Sequence, residues 1–348
     1  MLLDGLHIPL TTPFYPDGRV YHRKLEHNVG RYSLTPAAGL IVGTRTGERS
    51  LLSEVEMRGV MRTAIDASVA TKGMIADVSR DGVLNTLELA DFAAELGYDA
   101  ILLELPGVLS ADLAHRKSQL TYFQAVADRS PLPIVLGDGD SLTTDLIAEL
   151  SANPAFLGAV VASGSIDRLH ELRSVTSSAV REVLVTQVFA AVTRRMRAPQ
   201  ETPVGGNYID AGALSSGATA LATAPPAPAI KTRTKRVGFQ LLTGRTSSLA
   251  ASLAAGVVGA VLPFAVCAPQ AVYEVLAAWK DGDPGLAAEK QQRLHAAAEE
   301  IEGRLGAPGL KAASNLNGYY GGRPRLPLLP VSGEERTRID DLMAGMRN

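Results

Sequence analysis

The chain is poor in the residues that staple or metallate a fold. Its one cysteine, Cys267, among 348 residues excludes an intramolecular disulfide and a cysteine-based zinc site, and it suits a reducing compartment. The six histidines (7, 22, 27, 115, 170 and 295) include no HxxxH or HExxH pair that could hold a metal. Neither sign of charge dominates: 34 Lys and Arg stand against 36 Asp and Glu, a net charge of −2. That balance argues against general affinity for nucleic acid or an anionic membrane surface. No apolar run reaches the ~18 residues needed to cross a bilayer. The opening MLLDGLHIPLTTPF carries no basic stretch before its apolar residues, so it does not read as a signal peptide. The expectation is a cytoplasmic protein that binds neither nucleic acid nor membrane.

What the chain does have is core. Apolar residues make up 46% of it, enough for one large α/β domain. Short runs rich in Val, Ile and Leu recur at 6–12, 39–44, 73–79, 99–105, 132–138, 157–163, 237–244 and 259–266. Stretches such as NTLELADFAAELG (85–97) lie between them, with apolar residues three and four apart and a glycine stop. Strands without polar alternation are those buried on both faces. Eight of them with intervening helices predict a (β/α)8 barrel, here residues 1–267, followed by a helical region, 268–348. About sixty residues separate the helix at 167–177 from the strand at 237, where a connection of 2–6 is usual. Most of this excess, at about 190–236, is rich in Ala, Thr, Ser and Pro and ends in a basic cluster. It reads as a flexible surface excursion, with a lid or a tail for an acidic partner as the functional alternative. REVLVTQVF (181–189) could itself be the seventh strand.

Three stretches carry a family likeness. IPLTTPFYPDGRVYHRKLEHNV near the start, GLIVGTRTGERSLLSEVE at 39–56 and GLKAASNLNGYYGGRPRLPLLPVS at 309–332 resemble the dihydrodipicolinate synthase / N-acetylneuraminate lyase family. The resemblance covers nearly the whole chain apart from the insertion. It implies a barrel of class I aldolase type and a homo-oligomer, dimer or tetramer. It also implies a lysine on the sixth strand that forms a Schiff base with a 2-oxo acid, a proton-shuttling tyrosine after the fifth, and a GTTGE loop for the substrate carboxylate. The iminium is the electron sink of that chemistry. Set against this pattern, Val160 falls at the lysine, Gly137 at the tyrosine, and Gly107 and Val108 at a further tyrosine pair after the fourth strand. Lys117 and Lys231, the lysines nearest in sequence, lie outside the strand pattern. Arg45 replaces the first threonine of the loop, while Thr46, Gly47 and Glu48 remain.

Function in such a barrel sits at the C-terminal strand ends. That mouth would hold Thr11, Thr12, Arg45, Thr46, Asp77, Arg80, Asp81, Glu104, Asp138, Asp140, Ser163, Gln240 and Arg245. Thr12, Arg45, Thr46 and Gly47 are the expected carboxylate-binding residues, Arg45 through its bidentate fork. Asp138 and Glu104 are the candidate catalytic groups. Asp77, Glu104 and Asp138 could together hold Mg²⁺ or Mn²⁺, which would polarise a 2-oxo acid in place of the iminium; otherwise no cofactor is expected. The competing readings are structural: Asp140 and Ser141 as caps of the helix that begins near LTTDLIAEL, and Glu104 paired with Arg80 or Arg45. Three functions follow: a divergent enzyme acting on a small 2-oxo acid or related carboxylate, a catalytically silent homologue that binds such a ligand or regulates a partner, and an ordinary Schiff-base lyase.

Overall fold

The computed structural model describes residues 1–109, 115–137, 140–197 and 230–346. Six parallel strands come first: β1 (Gly5–Pro9), β2 (Gly39–Val42), β3 (Gly73–Asp77), β4 (Ala100–Leu103), β5 (Ile134–Leu136) and β6 (Phe156–Val161). An antiparallel pair follows, β7 (Arg181–Thr186) and β8 (Thr232–Val237), and then β9 (Gln240–Thr243) and β10 (Gly259–Val261). Strands β1 to β6, β9 and β10 close in that order into a parallel barrel, with β10 returning to β1. The expected (β/α)8 barrel is the fold. All eight apolar runs supply its strands, although the run at 237–244 straddles β8 and β9.

Alternation along the strands sorts their side chains into two cores. One face packs on the surrounding helices, as Ile8, Leu40, Ala76 and Ile101 do. The other fills the lumen with a dry layer that includes Leu3, Ile41, Ile75, Leu102, Val160 and Leu242. Below this layer lies His7, fully buried, with its Nε2 3.1 Å from the Leu3 carbonyl oxygen. Its neighbour in register is Gly39, where a Cβ would stand 2.6 Å from His7 Nδ1, so only glycine leaves room for the ring. The helical C-terminal region begins with Pro269–Lys280, which packs against β1 and so completes the barrel's outer ring.

The strand at 181–186 is not the seventh barrel strand. It pairs with β8 outside the barrel, in register from Arg181 opposite Val237 to Thr186 opposite Thr232. Residues 198–229, most of the Ala/Thr/Pro-rich stretch, lie outside the described residues. The described flanks sit beneath the barrel, opposite its mouth, and so do not form the lid considered from composition. An αβ connection returns the chain to the N-terminal ends of the strands, where these flanks lie. Val183 and Val185 pack on Leu2. Arg195 then gathers the carbonyl oxygens of Ile65, Ser68, Val69 and Lys72 at 2.8–3.2 Å, and Arg181 reaches those of Ser151 and Phe156. Two guanidiniums thus satisfy backbone acceptors that the turns before β3 and β6 would leave bare.

Burial pushes the His7 imidazole down to about 4 from its ordinary 6.5. The unfolded chain takes up a proton that the fold refuses, so this contribution is complete above pH 6.5 and lost as pH falls towards 4. We expect acidification across that window to cost about 3 kcal/mol through His7 alone. Denaturant unfolding at several pH values should show a shallower acid slope for His7→Gln than for the native chain.

Candidate active site at the barrel mouth

The loop after β2 makes two short 3-10 turns, Arg45–Gly47 and Arg49–Leu51, with Glu48 between them in the left-handed region at φ 58°. A non-glycine residue pays about 1 kcal/mol or more for that conformation. Here it turns the Glu48 side chain into the interior, where it meets Lys311 Nζ, both side chains being inaccessible to solvent. The second carboxylate oxygen accepts from the backbone N–H of Arg325 at 2.8 Å. Lys311 Nζ also donates to the Arg323 carbonyl at 3.2 Å and lies 4.3 Å from the centre of the Phe14 ring. The Arg325 guanidinium stacks on the same ring at 4.3 Å, and it grips Glu56 through two bonds of 2.6 and 2.8 Å. These bonds hold the Glu56 carboxyl down at about 2. Burial pushes the Lys311 ammonium down to about 8, against the pull of Glu48.

A second network crosses the mouth itself. Arg49 donates to Asp77, at the end of β3, and to Glu104, just past β4, at 2.7 Å for the latter. Arg45 reaches the same Glu104 oxygen at 3.3 Å, from a largely exposed position. Ser79 ties the two acids together, donating to Asp77 at 2.6 Å and accepting from the Glu104 backbone N–H at 2.9 Å. Burial works against the charge on Arg49, but the two carboxylates more than offset it and hold the guanidinium protonated. Burial likewise raises the Asp77 carboxyl, with Arg49 pulling the other way.

The expected site residues divide accordingly. Asp77 and Glu104 do come together, but around Arg49, whose guanidinium stands between them as a metal ion would. Among the described residues no three His, Cys, Asp or Glu converge on a point that could hold an ion, and Asp138 lies outside them. Glu104 pairs with Arg45, as one reading had it, and not with Arg80, which binds Glu54 at 2.6 Å. Asp140 does not cap the next helix. Thr143 does, with its hydroxyl accepting from Leu146 N, while Asp140 bridges to the N–H and hydroxyl of Ser163 at 2.8 Å. The helix starts one turn later than the acid because two threonines follow it. Gln240 belongs to the opposite end: it opens β9 and binds the backbone of Leu3 and Met1. Arg245 is held bidentate by Glu299, and Asp81 accepts the Gly107 N–H. Thr12 donates to the Gly47 carbonyl at 2.8 Å and so fixes the loop. Thr11 and Thr44 keep buried hydroxyls without a partner among the described residues.

Two positions of the lumen are shaped by packing. A Cβ on Gly137 would come within 2.3 Å of Leu102 and 2.7 Å of Glu104. Val160 is 3% exposed within the apolar layer. All eight lysines belong to the described residues, and none of them lies in the lumen. Lys311 is spent on Glu48 and Lys72 on the carbonyls of Thr35 and Ala37. Lys280 and Lys290 pair with Asp4 and Glu274. Lys24 lies over Tyr320, Lys117 is on an outer helix, and Lys231 and Lys235 are on the hairpin beneath the barrel.

Residues 2–181 and 227–345 match the model of the dihydrodipicolinate synthetase family. The chain belongs to that family. The unmatched 182–226 covers most of the excess at 190–236. A 4-hydroxy-tetrahydrodipicolinate synthase from Methanothrix thermoacetophila is 24% identical over 99% of this chain and 97% of its own length. The enzyme of that name from an Exiguobacterium species is 22% identical over 97% and 96%. Among solved structures, a dihydrodipicolinate synthase from Bacillus anthracis superposes with a TM-score of 0.77 at 19% identity, over the full length of both chains. A Clostridium difficile protein solved in complex with mannosamine gives 0.75 at 17%, over 99% of this chain and 100% of its own. The three stretches that carried the family likeness meet in one place, as Phe14, Glu48, Lys311 and Arg325.

Arg49 and Lys311 were missed as site residues. Arg49 follows the loop motif with no local signal. Lys311 had one: a single charge in the otherwise small and apolar helix Gly306–Ser314 needs a buried acid. Replacing it leaves Glu48 buried and uncompensated, so Lys311→Met should cost about 3–5 kcal/mol by urea unfolding, with much of it recovered in Lys311→Met/Glu48→Gln. Gly137→Ala should cost about 1–3 kcal/mol by the same measurement, through overpacking against Leu102.

Proposed function

We propose that this member of the family binds a small 2-oxo acid or related carboxylate at the barrel mouth and does not cleave it through a lysine Schiff base. The observation that carries the reading is the placement of the eight lysines, none of which offers an amine to the lumen. Without an iminium, a carbanion next to the former carbonyl lacks the electron sink of the lysine route. Val160 and Gly137, the residues aligned with the family's lysine and tyrosine, support the same conclusion through their packing. The carboxylate-binding part of the site is better provided. Thr12 presets the loop, Arg45 extends its guanidinium from the rim, and the buried hydroxyls of Thr11 and Thr44 are available donors. Named relatives are synthases, and their reaction comes to this chain only as a class of ligand. A solved structure of a monomeric dihydrodipicolinate synthase variant means that homo-oligomer assembly here is a matter for light scattering.

Borohydride reduction in the presence of pyruvate, read by intact mass, should leave the chain unmodified; a covalent adduct overturns the proposal. Calorimetric titration with pyruvate should show saturable binding, weakened about tenfold or more (~1.4 kcal/mol) in Arg45→Ala. No binding removes the first half of the reading. Binding without turnover distinguishes a silent homologue from a divergent enzyme.

A further inference from the structure

The N-terminal face of a (β/α)8 barrel ordinarily serves stability, and its charges are explained by packing. Beneath this barrel the described residues enclose a cavity of about 480 Å³. One wall is the edge of β7: Glu182, Val183 and Leu184 line it, and their register partners on β8 do not. The opposite wall is Pro131, Leu132 and Pro133, the turn before β5. Val192 adds to the apolar lining, and Met1, Arg194 and Arg197 line the remainder. Glu182, Val183, Leu184, Val192, Arg194 and Arg197 all fall in the stretch that the family model leaves unmatched.

The charge balance of this cavity is one-sided. Asp99, on its floor, is buried and already accepts the backbone N–H groups of Met74 and Arg194 at 2.8 and 2.5 Å. Glu182 stands opposite Arg236 across the hairpin. Neither Arg194 nor Arg197 has an ion-pair partner among the described residues, whereas Arg181 and Arg195 beside them are spent on carbonyl oxygens. Two arginines without ion pairs among the described residues line, together with an apolar wall, a space of the usual size for a small ligand, and this composition suits an amphipathic anion. We propose that this cavity binds a small organic anion, a carboxylate or phosphate ester carried on an apolar body.

The test uses the full chain and two probes, phenyl phosphate and 3-phenylpropionate, titrated by calorimetry. At least one should bind saturably at one site per chain, and the tighter of the two identifies the preferred head group. Affinity should fall at least tenfold in Arg194→Ala and in Arg197→Ala, vanish in Leu184→Trp, which fills the cavity, and stay unchanged in Arg45→Ala. Arg197 is exposed and has no side-chain bond among the described residues, so its variant remains folded and informative. Absence of saturable binding by both probes, or affinity unchanged in both arginine variants, overturns the proposal. Loss of binding in Arg45→Ala also overturns it, by moving the probe to the mouth.

Discussion

Everything at the mouth of this barrel leans on one buried ion pair, Glu48 with Lys311. Two unit charges removed from water repay their desolvation only when the geometry is good and their remaining valences are met. Here Arg325 N binds the second Glu48 oxygen, and the Arg323 carbonyl and the face of Phe14 receive the Lys311 ammonium, while Glu48 Oε1 faces the ammonium alone. The pair joins the loop after β2 to the C-terminal helices. The loop's left-handed residue keeps its conformation because the carboxylate it aims inward is caught. From that fixed point Arg49 reaches across to Asp77 and Glu104, and Gly47 receives Thr12.

The residues that make the chain recognisable as a family member are therefore structural ones. Phe14, Glu48, Lys311 and Arg325 form a clamp that any chemistry at the mouth would need. The lumen beneath this clamp is a different layer, held by its own contacts. Glycine at 137 makes room for Leu102 and Glu104, valine at 160 joins the apolar lumen, and Arg49 neutralises the two acids above it. A fold can keep its frame while its reactive layer changes, since the two depend on different contacts.

The barrel was legible because parallel strands covered on both faces are continuous apolar runs, and eight of them leave little architectural choice. The site was legible only in part. Asp77 and Glu104 could be placed together from their strand ends, but the cation between them could not, since Arg49 lies on a loop whose path depends on the distant Lys311. Asp140 looked like a cap because acids before helices usually are. Its actual partner, Ser163, is a neighbour through the barrel and not along the chain. Gln240 was put at the wrong end because its apolar run merges two strands, one from the hairpin and one from the barrel. Each miss concerns a side chain whose partner is remote in sequence.

The cap beneath the barrel is fastened by Arg195 and Arg181 to main-chain oxygens, which every residue except for its side chain presents alike. Such an attachment is blind to the identity of the residues it grips, apart from the Ser68 hydroxyl that Arg195 also meets at 2.8 Å. The turns at 65–72 and 151–156 can drift in sequence without loosening it, provided their backbone path is kept. An appendage docked in this way can be gained or altered on one end of the barrel while the opposite end goes on changing independently.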